Sequence, residues 1–121
     1  LQDIGGAILA VAVLARTPEA GARAAAAFER GLEKLRAAKR QGGPLRVFYE
    51  IWPSPLMTVS DGHVIGEIIA LCGGVNVFGG LQQLTPEVSI EALLAARPHV
   101  VLGGSSAETP SAQAARWAAR P

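Results

Sequence analysis

The chain is poor in the residues that build catalytic and metal centres. Its 121 residues include one cysteine, two histidines and one methionine, and aromatic residues make up 5%. A single cysteine cannot form an internal disulfide. His63 and His99 are not spaced as a metal pair, and no Cys/His/carboxylate cluster surrounds either. Asp61 and His63 could share a metal, but a solvated first-turn pair explains them more simply. Charge is also sparse: 17% of residues are charged, 11 basic against 10 acidic, for a net charge of +1. That balance excludes a dedicated nucleic-acid surface of clustered Lys/Arg and a polybasic membrane patch. Long apolar runs are missing. Gly6–Ala15 is only about half of the roughly 20 residues a membrane span needs, and no basic segment precedes it as in an intact signal peptide. No G-x-S-x-G elbow frames Ser54, Ser60, Ser105 or Ser106, and there is no G-x-G-x-x-G and no Walker lysine. No enzyme site is assembled in these residues.

What remains is apolar and patterned. Half of the residues are hydrophobic and mean hydropathy is +0.29, so a packed core is expected and disorder is not. The length falls within the range of one domain. Position 1 is not Met, Leu1-Gln2-Asp3-Ile4 leads straight into a helical pattern, and Arg116–Pro121 stops inside another. The chain therefore reads as a fragment of a longer protein, lacking material on both sides.

Asp3–Ala15 predicts a short Ala-rich buried helix. Thr17 is suited to an N-cap and Pro18 to the first helical position. Phe28, Leu32 and Leu35 then fall at i, i+4 and i+7, predicting a helix over Pro18–Arg40. At roughly 23 residues and 1.5 Å per residue it would be about 35 Å long, which is long for so small a domain. Gln41-Gly42-Gly43-Pro44 stops it. Leu45–Trp52 reads as a strand apolar enough to be buried on both faces of a parallel sheet. Trp52–Thr58 reads as a loop, because Pro53 and Pro55 exclude regular structure. Ser60 or Asp61 caps a helix to about Cys72, with Ile65, Ile68, Ile69 and Cys72 on its apolar face, and Gly73-Gly74 ends it in the left-handed region. A short strand over Val75–Phe78, a loop over Gly79–Val88, a Ser89-capped helix Ile90–Ala96 and a strand His99–Leu102 follow. Gly103–Ser106 is a loop, and Thr109-Pro110 opens a last helix. Helices alternating with apolar strands predict βαβ units. The expected architecture is a three-layer α/β/α lobe with a mainly parallel sheet, preceded by a long connector helix: residues 1–41 hold that connector and the end of a preceding lobe, and 44–121 an incomplete C-terminal lobe.

Each candidate site has a plain structural alternative. Cys72 reads first as a buried small hydrophobe and second as half of a disulfide. Gly103-Gly104-Ser105-Ser106 is a βα turn before it is an anion cradle. Trp52 and Met57 either close the core or offer an apolar wall at a strand end, where open α/β sheets bind ligands. Glu91, in the first turn after Ser89, is well placed against the helix dipole and could also dock a basic partner.

Taken in order, several segments resemble one family. They are Leu45-Arg46-Val47-Phe48-Tyr49-Glu50, Pro55-Leu56-Met57-Thr58, Leu71-Cys72-Gly73-Gly74 with Asn76-Val77-Phe78, Pro86–Leu94 and Arg97–Val101. The pattern, over about Thr17–Leu102, resembles the C-terminal lobe of the periplasmic substrate-binding proteins that serve ABC importers of vitamin B12, haem and iron-siderophores, with the cobalamin-binding branch most similar. The resemblance implies two α/β lobes joined by a stiff helix, here Pro18–Arg40, with ligand held between them and no catalysis. It implies a disulfide from Cys72 to a cysteine beyond Pro121. Met57 and Thr85 stand where that branch has ligand-facing aromatics, which leaves haem, siderophores and other cobamides open beside cobalamin. Apolar loops at strand ends, with Trp52, Met57, Leu84 and Thr85, are then expected to line one wall of the cleft, and the resemblance implies Glu91 as a surface charge that docks on an arginine of the ABC permease. The expected protein is periplasmic and has no intrinsic cofactor. Its partners are a metal-chelate ligand and the permease, and the isolated fragment is expected to self-associate. The alternative is a Rossmann-like fragment of an enzyme whose catalytic residues lie outside this chain.

Overall fold

The computed structural model describes residues 1–38, 42–104 and 109–119. Two helices open the chain, α1 (Gln2–Leu14) and α2 (Pro18–Ala37). They pack on each other through small side chains: Ala12 of α1 and Gly21, Ala25 and Leu32 of α2 are buried. The outward side of α1 remains apolar, with Leu9, Val11, Val13 and Leu14 exposed. Helix α2 runs for 20 residues, about 30 Å at 1.5 Å per residue. Its predicted end at Arg40, and Gln41 after it, lie outside the described residues. Thr17 occupies the N-cap position without a side-chain capping bond. Leu35, expected on the buried stripe, is half-exposed.

The second part is α/β. Strand β1 (Leu45–Glu50) forms the centre of a three-stranded sheet in the order β4-β1-β5, with β4 (Gly74–Asn76) and β5 (Val100–Gly103) both parallel to it. The mainly parallel α/β architecture is thus the predicted one. Helix α3 (Val64–Leu71) connects β1 to β4, α4 (Ile90–Ala96) precedes β5, and α5 (Pro110–Ala118) follows it. The expectation of strands buried on both faces holds only in part. Val47 and Phe48 are buried, whereas Val101 and Leu102 of the edge strand β5 are exposed.

Three helix ends show how local sequence sets these boundaries. Gly73 adopts φ +76° after α3, the left-handed stop read from Gly73-Gly74. Ser89 Oγ accepts from Ala92 N at 3.1 Å to cap α4, and Thr109 Oγ1 accepts from Ala112 N at 3.3 Å to cap α5. The start of α3 differs from expectation. His63 is the N-cap, its Nδ1 accepting from Ile65 N at 3.1 Å. Ser60 is withdrawn from that role because it is buried and its backbone pairs with Leu84.

The core lies under β1. Phe48, fully buried, packs with Leu56 and Leu93, surrounded by Val77, Phe78, Val88, Ile90 and Trp117. Its ring meets Phe78 and Trp117 edge-on, each at a centroid distance of 5.9 Å, an arrangement worth about 0.5–1.5 kcal/mol per pair beyond area burial.

Candidate functional site

The segment expected to be an irregular loop is instead a small antiparallel ribbon at the C-terminal end of β1. Trp52–Pro53 (β2) pairs with Leu56–Met57 (β3), in the register Trp52↔Met57 and Pro53↔Leu56. The turn contains a cis Ser54–Pro55 bond. Pro53 is tolerated because β2 is an edge strand of two residues, where a missing N–H interrupts no ladder. A third segment extends the ribbon on its other side. Met57 bridges Glu87 in antiparallel fashion, and the backbone bonds Val88 N→Leu56 O (2.9 Å), Thr58 N→Pro86 O (3.0 Å) and Ser60 N→Leu84 O (3.0 Å) continue the same register.

This ladder sorts the predicted wall residues. Directly opposed residues of an antiparallel pair share a face, so Trp52, Met57 and Glu87 form one row across three segments. Thr85, two residues before Glu87, lies on that face too. Leu84 alternates to the other face, with its side chain lying against Gly62. Trp52 is 48% exposed and Leu84 56%; Met57 is half-buried and Thr85 exposed. Leu56, Thr58 and Pro86, on the opposite face from Met57, are buried. Around Trp52 and Met57 the ribbon therefore has a core side and an open side; the open side closes at Val59, which is fully buried. Two cavities of about 720 and 270 Å³ lie elsewhere, beside Arg36 and Glu67 and between α4 and Trp117 respectively. Neither is lined by the four wall residues.

Two buried polar side chains hold this wall, and sequence reasoning missed both. Asn76, at the end of β4, donates through Nδ2 to Val59 O at 2.8 Å and accepts from Phe78 N at 3.1 Å. It ties the sheet to the ribbon. Glu50, the last residue of β1, is completely buried. It accepts from Arg116 Nη1 at 3.0 Å, from Arg116 Nη2 at 2.5 Å and from Gln113 Nε2 at 3.2 Å. Helix α5 is thereby clamped to the strand end from which the ribbon grows. Arg116 also stacks 5.6 Å from the centre of the Trp117 ring. A charged residue ending an apolar strand is the signal that could have found Glu50.

Glu91 is exposed in the first turn of α4. A hydrogen bond from its own backbone N–H, and then one from the Ser89 hydroxyl, lower its pKa from the ordinary 4.5. The carboxylate is therefore ionised at neutral pH. A lowered folded-state value means that its contribution to stability is present above about 4.5 and is lost as pH falls through that lowered value. Cys72 is exposed and forms no disulfide among the described residues, which corrects the expectation of a buried thiol. It sits at the C-cap of α3, where the helix face has already turned outward, as exposed Ile68 also shows. His63 is taken up by its capping bond, and no group of three or more His, Cys, Asp or Glu able to hold a metal occurs among the described residues. Gly103 ends β5 and Gly104 follows it, whereas Ser105 and Ser106 lie outside the described residues.

Comparison with known proteins agrees with the fold. No family model matches the chain. The chain is similar to a vitamin B12-binding protein of Vibrio cholerae serotype O1, at 37% identity over 101 residues, covering 84% of this chain and 37% of the relative. Among solved structures, the periplasmic vitamin B12 binding protein of Vibrio cholerae superposes with a TM-score of 0.80 at 33% identity, over 97% of this chain and 46% of that one. The periplasmic heme-binding protein of Roseiflexus sp. RS-1 gives 0.75 at 26% identity, over 82% and 39%. Over most of its length the chain is thus homologous to periplasmic vitamin B12- and haem-binding proteins, as its motifs had implied. It spans less than half the length of these relatives.

Proposed function

Proceeding from that homology, we propose that this chain supplies one wall of a periplasmic solute-binding protein that captures a cobamide, haem or ferric siderophore and delivers it to an ABC importer. The observation that carries this reading is the cross-strand face of Trp52, Met57 and Thr85 at the carboxyl end of a parallel sheet, where open α/β folds bind ligands. A flat chelate suits such a face. Trp52 offers a ring, and the Met57 thioether adapts to irregular apolar surfaces. The relatives are named for binding, which favours capture over turnover and leaves the enzyme-fragment reading without support. Met57 and Thr85 would line the site with Trp52, Leu84 would reach it only from the other face of the ribbon, and Pro18–Ala37 would be the connector to a second lobe. Glu91 would dock on the permease. Exposed Cys72 would pair with a cysteine of another segment. The exposed apolar side of α1 is where an isolated chain would self-associate.

Trp52 makes the reading testable. Titrating the full-length protein with cyanocobalamin, haemin or a ferric siderophore should quench its tryptophan fluorescence with one of the three, and Trp52→Phe should remove most of that response. No response across the panel would sink the proposal.

A further inference from the structure

We infer that Glu87 is a specificity-determining residue of this wall, selecting a chelate whose edge carries amide N–H donors over one that carries anionic groups. The inference rests on the capture reading above and deepens it. Glu87 stands opposite Met57, which stands opposite Trp52. The carboxylate therefore belongs to the same row as the two side chains best suited to a flat ligand. It is exposed. No described cation pairs with it, since the ion pairs among the described residues are made by the Leu1 amino group with Glu67, Arg23 with Glu19, and Arg116 with Glu50. Trp52, Met57 and Thr85 contribute no charge, so Glu87 sets the sign of the row. Arg116, which reaches the end of β1, is already bonded to Glu50.

The chemical consequence follows from charge. A carboxylate accepts charge-assisted hydrogen bonds from amide N–H groups and repels a carboxylate brought beside it. Two like charges about 4 Å apart in water differ enough in energy to shift an equilibrium roughly fivefold. Corrinoids carry a rim of neutral carboxamides, whereas haem carries two propionates and many ferric siderophores are anionic. Among these ligands, the row favours the amide-rimmed corrinoid.

The test uses the full-length protein and two probes, cyanocobalamin and haemin, with calorimetric affinities for wild type, Glu87→Gln and Glu87→Lys. Wild type should prefer cyanocobalamin. Glu87→Gln should shift the haemin-to-cyanocobalamin affinity ratio toward haemin by roughly three- to tenfold, and Glu87→Lys should shift it further. Raising salt from about 0.01 M to about 1 M should shrink the difference between variants, because exposed charges are screened. Thermal unfolding checks that both exposed-site variants fold, and either alone decides the outcome. A ratio unchanged within about twofold, or a wild type that prefers haemin, overturns the inference while the capture reading stands. Binding of neither probe nor of a ferric siderophore by wild type overturns both.

Discussion

Glu50 and Arg116 show what single residues do in this fold. A fully buried carboxylate is costly unless charge and hydrogen bonds compensate it, and here a bidentate guanidinium and a glutamine amide both contribute. Removing one partner of such a pair is more damaging than its net strength suggests, because the remaining charge loses its compensation. Arg116→Met should therefore destabilise the protein by roughly 3 kcal/mol, while Arg116→Lys should recover only part of that loss because it cannot bond bidentately. Denaturant unfolding of the two variants checks this, and a loss under about 0.5 kcal/mol for Arg116→Met would refute the clamp. The pair was not legible in the sequence. Its members are 66 residues apart, and nothing in the strand pattern marked Glu50 as one half of a pair. Cys72 was misread for a related reason. Residue type favours burial, but its position just past the last turn of α3 places it outside.

At the scale of elements, periodicity and punctuation carried most of the fold. Apolar runs bounded by Pro and Gly located β1 and β5, and Ser89, Thr109 and Gly73 marked helix ends that the structure keeps. The ribbon was missed because its strands are two residues long and its prolines argue against any strand. Only tertiary pairing with 84–88, supplied by a distant segment, makes it regular. That pairing needs an anchor, and Asn76 provides it through the carbonyl of Val59. A second constraint comes from Gly66. A Cβ there would lie 2.3 Å from Ser60 O, so α3 can approach the ribbon's end only with glycine. Asn76→Ala should cost about 1–3 kcal/mol, the penalty for leaving a buried carbonyl without its donor. It should also raise amide exchange at Thr58 and Ser60 well before exchange rises in Val47 and Phe48. Uniform exchange across all four positions would mean that Asn76 stabilises the lobe without holding the ribbon.

For the whole molecule, the useful fact is that the proposed ligand wall and the proposed docking charge lie on different elements. The wall sits on the ribbon, whereas Glu91 sits on α4, whose buried Leu93 packs against Phe48 in the core. Binding and docking should therefore separate under mutation. Glu91 is exposed and charged at neutral pH, as an ordinary glutamate is, and its lowered pKa extends the ionised range to lower pH. Reversing it places a cation where the proposed permease surface offers an arginine. Like charges juxtaposed across an interface cost several kcal/mol, which is a hundredfold or more in affinity by the usual relation of about 1.4 kcal/mol per tenfold. Salt screens a rim charge, so a loss of about tenfold is the reasonable expectation for full-length Glu91→Arg binding to the reconstituted transporter. Ligand affinity should stay within about twofold of wild type, as expected for an exposed change outside the row of Trp52, Met57 and Glu87. The loss should also diminish at high salt, which a purely structural defect would not. Docking unchanged at low salt would remove Glu91 from the interface and leave the capture reading intact. Parallel loss of ligand binding would mean that α4 and the ribbon act as one unit after all.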